Sequence, residues 1–151
     1  MQAKAEQSGF SLIEIMLVMV LIAVMVGLTA TFMSGSLEKA RMRAVSKDLL
    51  TALKYTRGQA VIKHEQKTIE FNVKNRTYRA PNKKLIQLPD DMEMNLYTAD
   101  SDIVDESTGK IRFFSDGSST GGWVKLTYGN KIWKINVNWL TGEVLMEEGA
   151  S

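Results

Sequence analysis

Glu14 is the only charged residue between Glu6 and Glu38. A carboxylate inside an apolar helix costs roughly 2.5–3.5 kcal/mol at the centre of a bilayer and less near its edge, so it calls for a cation. Cleavage between Gly9 and Phe10 would create one, because the new α-amino group would sit one helical turn before Glu14, within reach of its own or a neighbouring chain's carboxylate.

Other chemistries are less well supplied. The run Asp116, Gly117, Ser118, Ser119, Thr120, Gly121, Gly122 is rich in small residues like a phosphate cradle, but it lacks the Gly-Lys-Ser/Thr ending and lies between predicted strands. It reads as a hairpin loop whose small residues make it mobile and free to contact a neighbouring subunit, a candidate interaction loop. Asp100, Asp102, Asp105 and Glu106 offer oxygen ligands of the kind calcium takes, but without the spacing or glycine of an EF-hand, and read as a solvated acidic loop. His64 is the single histidine and cysteine is absent, which excludes histidine-pair metal sites, thiolate chemistry and disulfides. No nucleophile, base and orienting group are tied together by a motif, so neither catalysis, a cofactor nor a metal is expected.

The elements that must position these groups follow from periodicity. From Ile15 to Leu37 no residue is charged, and a helix of that length spans roughly 34 Å, enough for about 30 Å of hydrocarbon. A secretory signal would be shorter and carry a small-x-small site after its apolar part. Beyond Leu37 the pattern stays helical to about His64, with Val45, Leu49, Ala52, Leu53, Thr56 and Ala60 on one stripe and Lys47, Lys54 and Lys63 outside it. Gly27 and Gly35 are its weak points, where bending or local melting is expected. Alternation then predicts strands at Thr68 to Val73, Thr77 to Arg79, Met92 to Thr98, Ile111 to Ser115, Trp123 to Tyr128, Ile132 to Trp139 and Val144 to Met146, with Gly129-Asn130 as a two-residue hairpin turn. Trp133, Ile135, Val137 and Trp139 fall on one face of the sixth strand. The fold class is therefore α+β, a long N-terminal helix packed on an antiparallel β-sheet or β-sandwich domain.

Charge is uneven. Residues 39–84 hold thirteen Lys/Arg against three acidic residues, whereas from Asp90 onward five basic residues face eleven acidic ones. A basic half followed by an acidic half favours head-to-tail contact between different surfaces, and the basic half also raises the possibility of phosphate binding. Against nucleic acid stand Glu143, Glu147 and Glu148 near the C-terminus. Lys39, Arg41, Arg43 and Lys47 after the apolar run would, on charge alone, keep the C-terminal side in the cytoplasm.

Gly9-Phe10-Ser-Leu-Ile-Glu14 followed by an apolar run resembles the leader of type IV prepilins and pseudopilins. Arg57-Gly-Gln-Ala60, Phe113-Phe-Ser-Asp-Gly117-Ser-Ser-Thr-Gly121-Gly122 and Thr141-Gly142-Glu-Val144 are similar to the GspH/FimT pseudopilins, with Ser115 standing where proline is expected and Glu143 where a basic residue is common.

The resemblance implies a pilin-like fold divided into a 1–9 leader, a 10–37 membrane and filament-core helix, a 38–64 amphipathic continuation and a 65–151 globular β-rich domain. It implies cleavage after Gly9 by a prepilin peptidase, N-methylation of Phe10, and pairing of Glu14 with a neighbour's amino terminus in assembly. It further implies a single-pass inner-membrane protein with a periplasmic domain, a structural subunit at or near the tip of the type II secretion pseudopilus. Its partners would be other minor pseudopilins, the major pseudopilin, the prepilin peptidase, membrane lipid and the inner-membrane assembly platform. The alternative is a FimT-like minor pilin acting in type IV pilus assembly or DNA uptake. The leader overrides the charge bias in placing the globular part across the membrane.

Overall fold

A computed structural model describes residues 11–150, with the side chains of residues 28–36, 38 and 150 outside that description. Gly9 and Phe10, and with them the expected cleavage and methylation, lie outside the described residues.

The chain forms two compact units, Met1–Ala40 and Arg41–Ser151. Helix α1, Leu12–Lys63, begins in the first and ends in the second. No proline interrupts its 52 residues, and it passes Gly27 and Gly35 without a break in the helical assignment. All side chains from Ser11 to Gly27 are exposed, and nearly all of them are apolar. Among the described residues no helix is long and apolar enough to cross a membrane. The expected span, Ile15 to Leu37, extends into residues whose side chains are not described.

In the second unit α1 buries Met42, Ser46, Leu49, Leu53, Thr56 and Ala60, a stripe that alternates steps of four and three. The expected stripe holds Leu49, Leu53, Thr56 and Ala60 but also Val45 and Ala52, which are only half-buried, and it lacks Met42 and Ser46. Ser46 takes a buried place because its hydroxyl is satisfied within the helix, donating to the Met42 carbonyl at 3.0 Å, as the expected Thr56 donates to the Ala52 carbonyl at 2.8 Å. The helix ends where His64 takes a left-handed φ of 52° and Glu65 N–H returns to the Ala60 carbonyl at 3.2 Å.

Eight strands follow: β1 Lys67–Asn72, β2 Thr77–Arg79, β3 Ile86–Gln87, β4 Glu93–Tyr97, β5 Thr108–Phe113, β6 Gly122–Tyr128, β7 Lys131–Val137 and β8 Val144–Ala150. They form two four-stranded antiparallel sheets ordered β3-β2-β1-β5 and β4-β6-β7-β8. The inward residues of both sheets, among them Ile69, Phe71, Ile111, Phe113, Val124, Leu126, Trp133 and Ile135, join Leu49 and Leu53 of the helix in one core. The β6–β7 hairpin turns at Gly129-Asn130, with Tyr128 opposite Lys131.

Several strand ends differ from expectation: β5 begins at Thr108 instead of Ile111, β8 runs on to Ala150 instead of Met146, and the C-terminal ends of β5 and β7 fall short for local reasons. Strand β5 stops at Phe113 because Phe114 N–H turns to the Ser118 carbonyl at 2.9 Å. Strand β7 stops at Val137, so Trp139 is not a core residue but 67% exposed. Asn138 causes this: its Oδ1 accepts from the N–H groups of Leu140 and Thr141, and its carbonyl accepts from Gly142, closing a tight turn. The two-residue β3 escapes the sequence because it is too short to show a period.

Candidate assembly site

The first surface is the start of α1. Glu14 lies in its first turn and is exposed, with its N–H bonded to the Ser11 carbonyl at 3.0 Å. A carboxylate there is favoured by the positive end of the helix dipole. Among the described residues no cation is paired with it.

The second lies where α1 ends, and it gathers segments far apart in sequence. Arg57 donates from Nε to the Gly117 carbonyl at 3.1 Å and from Nη2 to the Thr141 carbonyl at 2.9 Å. One guanidinium thereby ties the last turns of the helix to the 114–121 loop and to the 138–142 turn. Gly142, at φ 62°, packs so closely beneath that a Cβ would collide with the Gly117 carbonyl oxygen. These contacts explain why Arg57, Gly117 and Gly142 occur together: the chemistry at issue is backbone satisfaction, not catalysis.

This geometry corrects the expectation of a mobile loop. Gly117, Ser119 and Gly121 are buried, Ser119 N–H bonds the Trp139 carbonyl at 2.9 Å, Thr120 N–H bonds the Arg112 carbonyl at 3.0 Å, and Ser119 Oγ accepts from Gly121 N–H at 2.9 Å. Gly122, at φ 130°, lies against the Tyr97 carbonyl. Ser118 donates its hydroxyl and backbone N–H to Asp116, which holds that carboxyl below its usual range. Of the run Asp116 to Gly122, only Asp116 is fully exposed, and Thr120, Ser118 and Gly122 are half-buried. Small residues here serve close packing. Beside the loop, the exposed large apolar residues are Trp139 and Leu140, presented by the Asn138 turn.

The acidic segment also differs from a solvated loop. Asp102 is 3% exposed and its Oδ1 lies 2.6 Å from Arg112 Nε. Asp105 accepts from the N–H and hydroxyl of Ser107, the backbone bond first among the causes that lower its pKa. Among the described residues no three acidic or histidine side chains gather in a way that would hold a metal ion. Asp100, Asp105 and Glu106 stay exposed beside Ile103 and Val104.

Of the stem cations, Arg43 pairs within the chain, Nε to Glu148 at 3.2 Å, and Glu147 and Glu148 sit on β8. His64 acts as the helix terminator, and Ser118 and Ser119 are engaged with Asp116 and Gly121.

Comparison with known proteins accords with this architecture. Residues 4–30 match the model of the prokaryotic N-terminal methylation motif, and residues 30–142 match that of type II transport protein GspH. The chain is 35% identical over 136 residues to type II secretion system protein H of Xanthomonas campestris pv. campestris, covering 90% of this chain and 80% of that one. Its fold resembles the minor pseudopilin EpsH from the type 2 secretion system of Vibrio cholerae, with a TM-score of 0.53 and 8% identity over 72% of this chain and 95% of that one. It equally resembles the type IV minor pilin FimU of Pseudomonas aeruginosa, with a TM-score of 0.53 and 12% identity over 73% and 90% of the two chains. With one family model covering most of the chain and a relative above 30% identity, this protein belongs to the type II transport protein GspH family, the minor pseudopilins of type II secretion.

Proposed function

We propose that this pseudopilin works at or near the tip of a periplasmic pseudopilus, joining other minor pseudopilins to the major one and supporting export of folded proteins. It waits in the inner membrane as a single-pass protein with its β domain in the periplasm. There it is cut after Gly9 and methylated on Phe10, and Glu14 then meets the amino terminus of a neighbouring subunit. It is a structural part rather than an enzyme, and the energy for assembly comes from elsewhere. The observation that carries this reading is a helix with exposed apolar side chains, headed by the carboxylate Glu14, that goes on to supply Leu49 and Leu53 to the core of the β domain. An apolar surface of that kind has to be covered by lipid before assembly and by other helices after it.

The test replaces the chain by its Glu14→Ala variant in a secreting host. The variant is expected in the membrane at normal level, cleaved, but missing from sheared pseudopilus fractions, with export lost. Normal incorporation of Glu14→Ala would remove Glu14 from assembly. Reversing Lys39, Arg41 and Arg43 to glutamate is expected to weaken co-purification with the other pseudopilins at low salt, and unchanged recovery would contradict a role for the basic stem.

A further inference from the structure

The two sheets end in four edge strands, β3, β5, β4 and β8. Strand β3 has only two residues, while β4 and β5 lie against each other, with Thr98 Oγ1 donating to the Lys110 carbonyl at 2.6 Å and Gly109 packed on Leu96. Strand β8 differs from these: its seven residues, Val144–Ala150, pair with β7 on one side alone. The Asn138 N–H bonds the Glu143 carbonyl at 2.9 Å, which fixes the phase of that ladder. By the alternation of an antiparallel pair, Leu145, Glu147 and Gly149 turn their backbone groups to β7, and Val144, Met146 and Glu148 turn theirs outward. Among the described residues no other segment hydrogen-bonds those outward groups. Edges of this kind are commonly blunted by lysine, proline or a bulge. Strand β8 carries neither lysine nor proline, and it pairs with β7 one residue to one throughout.

The space beside the edge is open as well. A groove of about 480 Å³ lies between Lys54 and Arg57 of α1 and Thr141, Glu143, Val144 and Leu145 at the start of β8. Glu143, Leu145, Glu147 and Gly149 alternate with the inward Val144 and Met146 and are exposed. The outer face of the edge therefore reads acid, apolar, acid. Leu145 is 54% exposed, and neither Glu143 nor Glu147 is in an ion pair among the described residues.

We infer that the outer edge of β8 accepts an extended segment of a different pseudopilin as a fifth strand of its sheet, a segment that carries cations on either side of one apolar residue. Main-chain bonds to Val144, Met146 and Glu148 supply the hold, and the alternate side chains select the partner. The apolar residue covers Leu145, and the cations face Glu143 and Glu147. A second copy of this chain is a poor occupant. Matching Leu145 to Leu145 would set carboxylate against carboxylate at both flanking positions, in either strand direction. The inference rests on the pseudopilin reading for the class of its partner.

The experiment places p-benzoylphenylalanine at Leu145 or at Gly149, one at a time, in the full-length chain, made in a secreting host together with that host's other pseudopilins. Both positions are exposed, and a Cβ at Gly149 meets nothing within 4 Å. After illumination the adducts are read by mass spectrometry. Both positions are expected to capture the same, different pseudopilin, at residues about four apart in its chain, because paired strands advance together. Met146→Pro removes an outward N–H and leaves the bonds to β7 intact, so it should lower the yield about tenfold. If that variant melts well below the wild type, Glu147→Lys, on an exposed side chain, is expected to give a similar loss with no change in melting. Adducts with a second copy only, adducts scattered over several proteins, or a yield indifferent to both substitutions would overturn the contact. So would the absence of any adduct from a chain whose N-terminal peptide begins at Phe10. A chain that keeps Met1 to Gly9 would overturn the pseudopilin reading, and the contact with it.

Discussion

Arg57 shows how much one side chain can organise without touching a ligand. Its two bonds are charge-assisted and reach carbonyls that would otherwise lose a partner at the end of the domain. Arg57→Ala is expected to lower stability by about 2 kcal/mol, read as a lower urea midpoint with an unchanged slope. Lysine at this position should recover little, because one ammonium cannot serve both carbonyls in a fork. A second residue-scale effect belongs to Glu70, whose carboxylate lies 3.0 Å from Arg79 Nη2 and 3.2 Å from Lys110 Nζ. The Arg79 hydrogen bond, then that of Lys110, holds its pKa below the ordinary 4.5. A lowered folded-state pKa means that the stabilisation is complete above about pH 4.5 and disappears as pH falls through the folded value. Wild type should therefore exceed Glu70→Gln in melting temperature at pH 6, and the gap should close towards pH 3. A gap that persists at pH 3 would assign the difference to packing. Tyr78, by contrast, is pushed up to about 12, chiefly by burial and then by Asp48, and stays neutral throughout that range.

At the scale of elements, the helix and the two sheets meet through a narrow set of positions. Leu53 is fully buried on the stripe of α1, and Leu53→Ala should cost about 2–5 kcal/mol, visible in a thermal melt. Gly142→Ala should destabilise the end of the domain by about 2 kcal/mol or more, since it combines a left-handed φ with collision against the Gly117 carbonyl. Its amide-exchange protection should fall first in the 114–121 loop. Much of this architecture was legible in the sequence. A helical period gave way to alternation near His64, and the second strand was located to the residue at Thr77–Arg79. What was not legible depended on tertiary contacts. Ser46 looks polar until it is seen buried against the domain with its hydroxyl bonded to the Met42 carbonyl. The run of small residues from Gly117 to Gly122 looks mobile until Arg57, Trp139 and Tyr97 are seen pressed against it. Trp139 continues the alternation of β7 in sequence, and only the Asn138 turn takes it out to solvent. The signal for the Arg57 clamp was present as three separate segments, with nothing in their spacing to say that they meet.

For the whole molecule, the leading fact is a division of labour along one helix. The same element that exposes only apolar residues and Glu14 at its beginning supplies Leu49 and Leu53 to a β-domain core further on. Membership of the GspH family gives that arrangement its context, and the charge halves are partly spent inside the chain, as Arg43 on Glu148 and Arg76 on Asp90 show. The remaining exposed cations and carboxylates are those available to neighbours. The central claim is that this chain enters the pilin pathway through its amino terminus, and the most direct measurement is the mass of the N-terminal peptide of membrane-extracted protein, made with and without an active prepilin peptidase. The account predicts a peptide beginning at Phe10 and carrying one methyl group when the peptidase is active, and an intact start at Met1 when it is not. An intact segment from Met1 to Gly9 in peptidase-positive cells would contradict it.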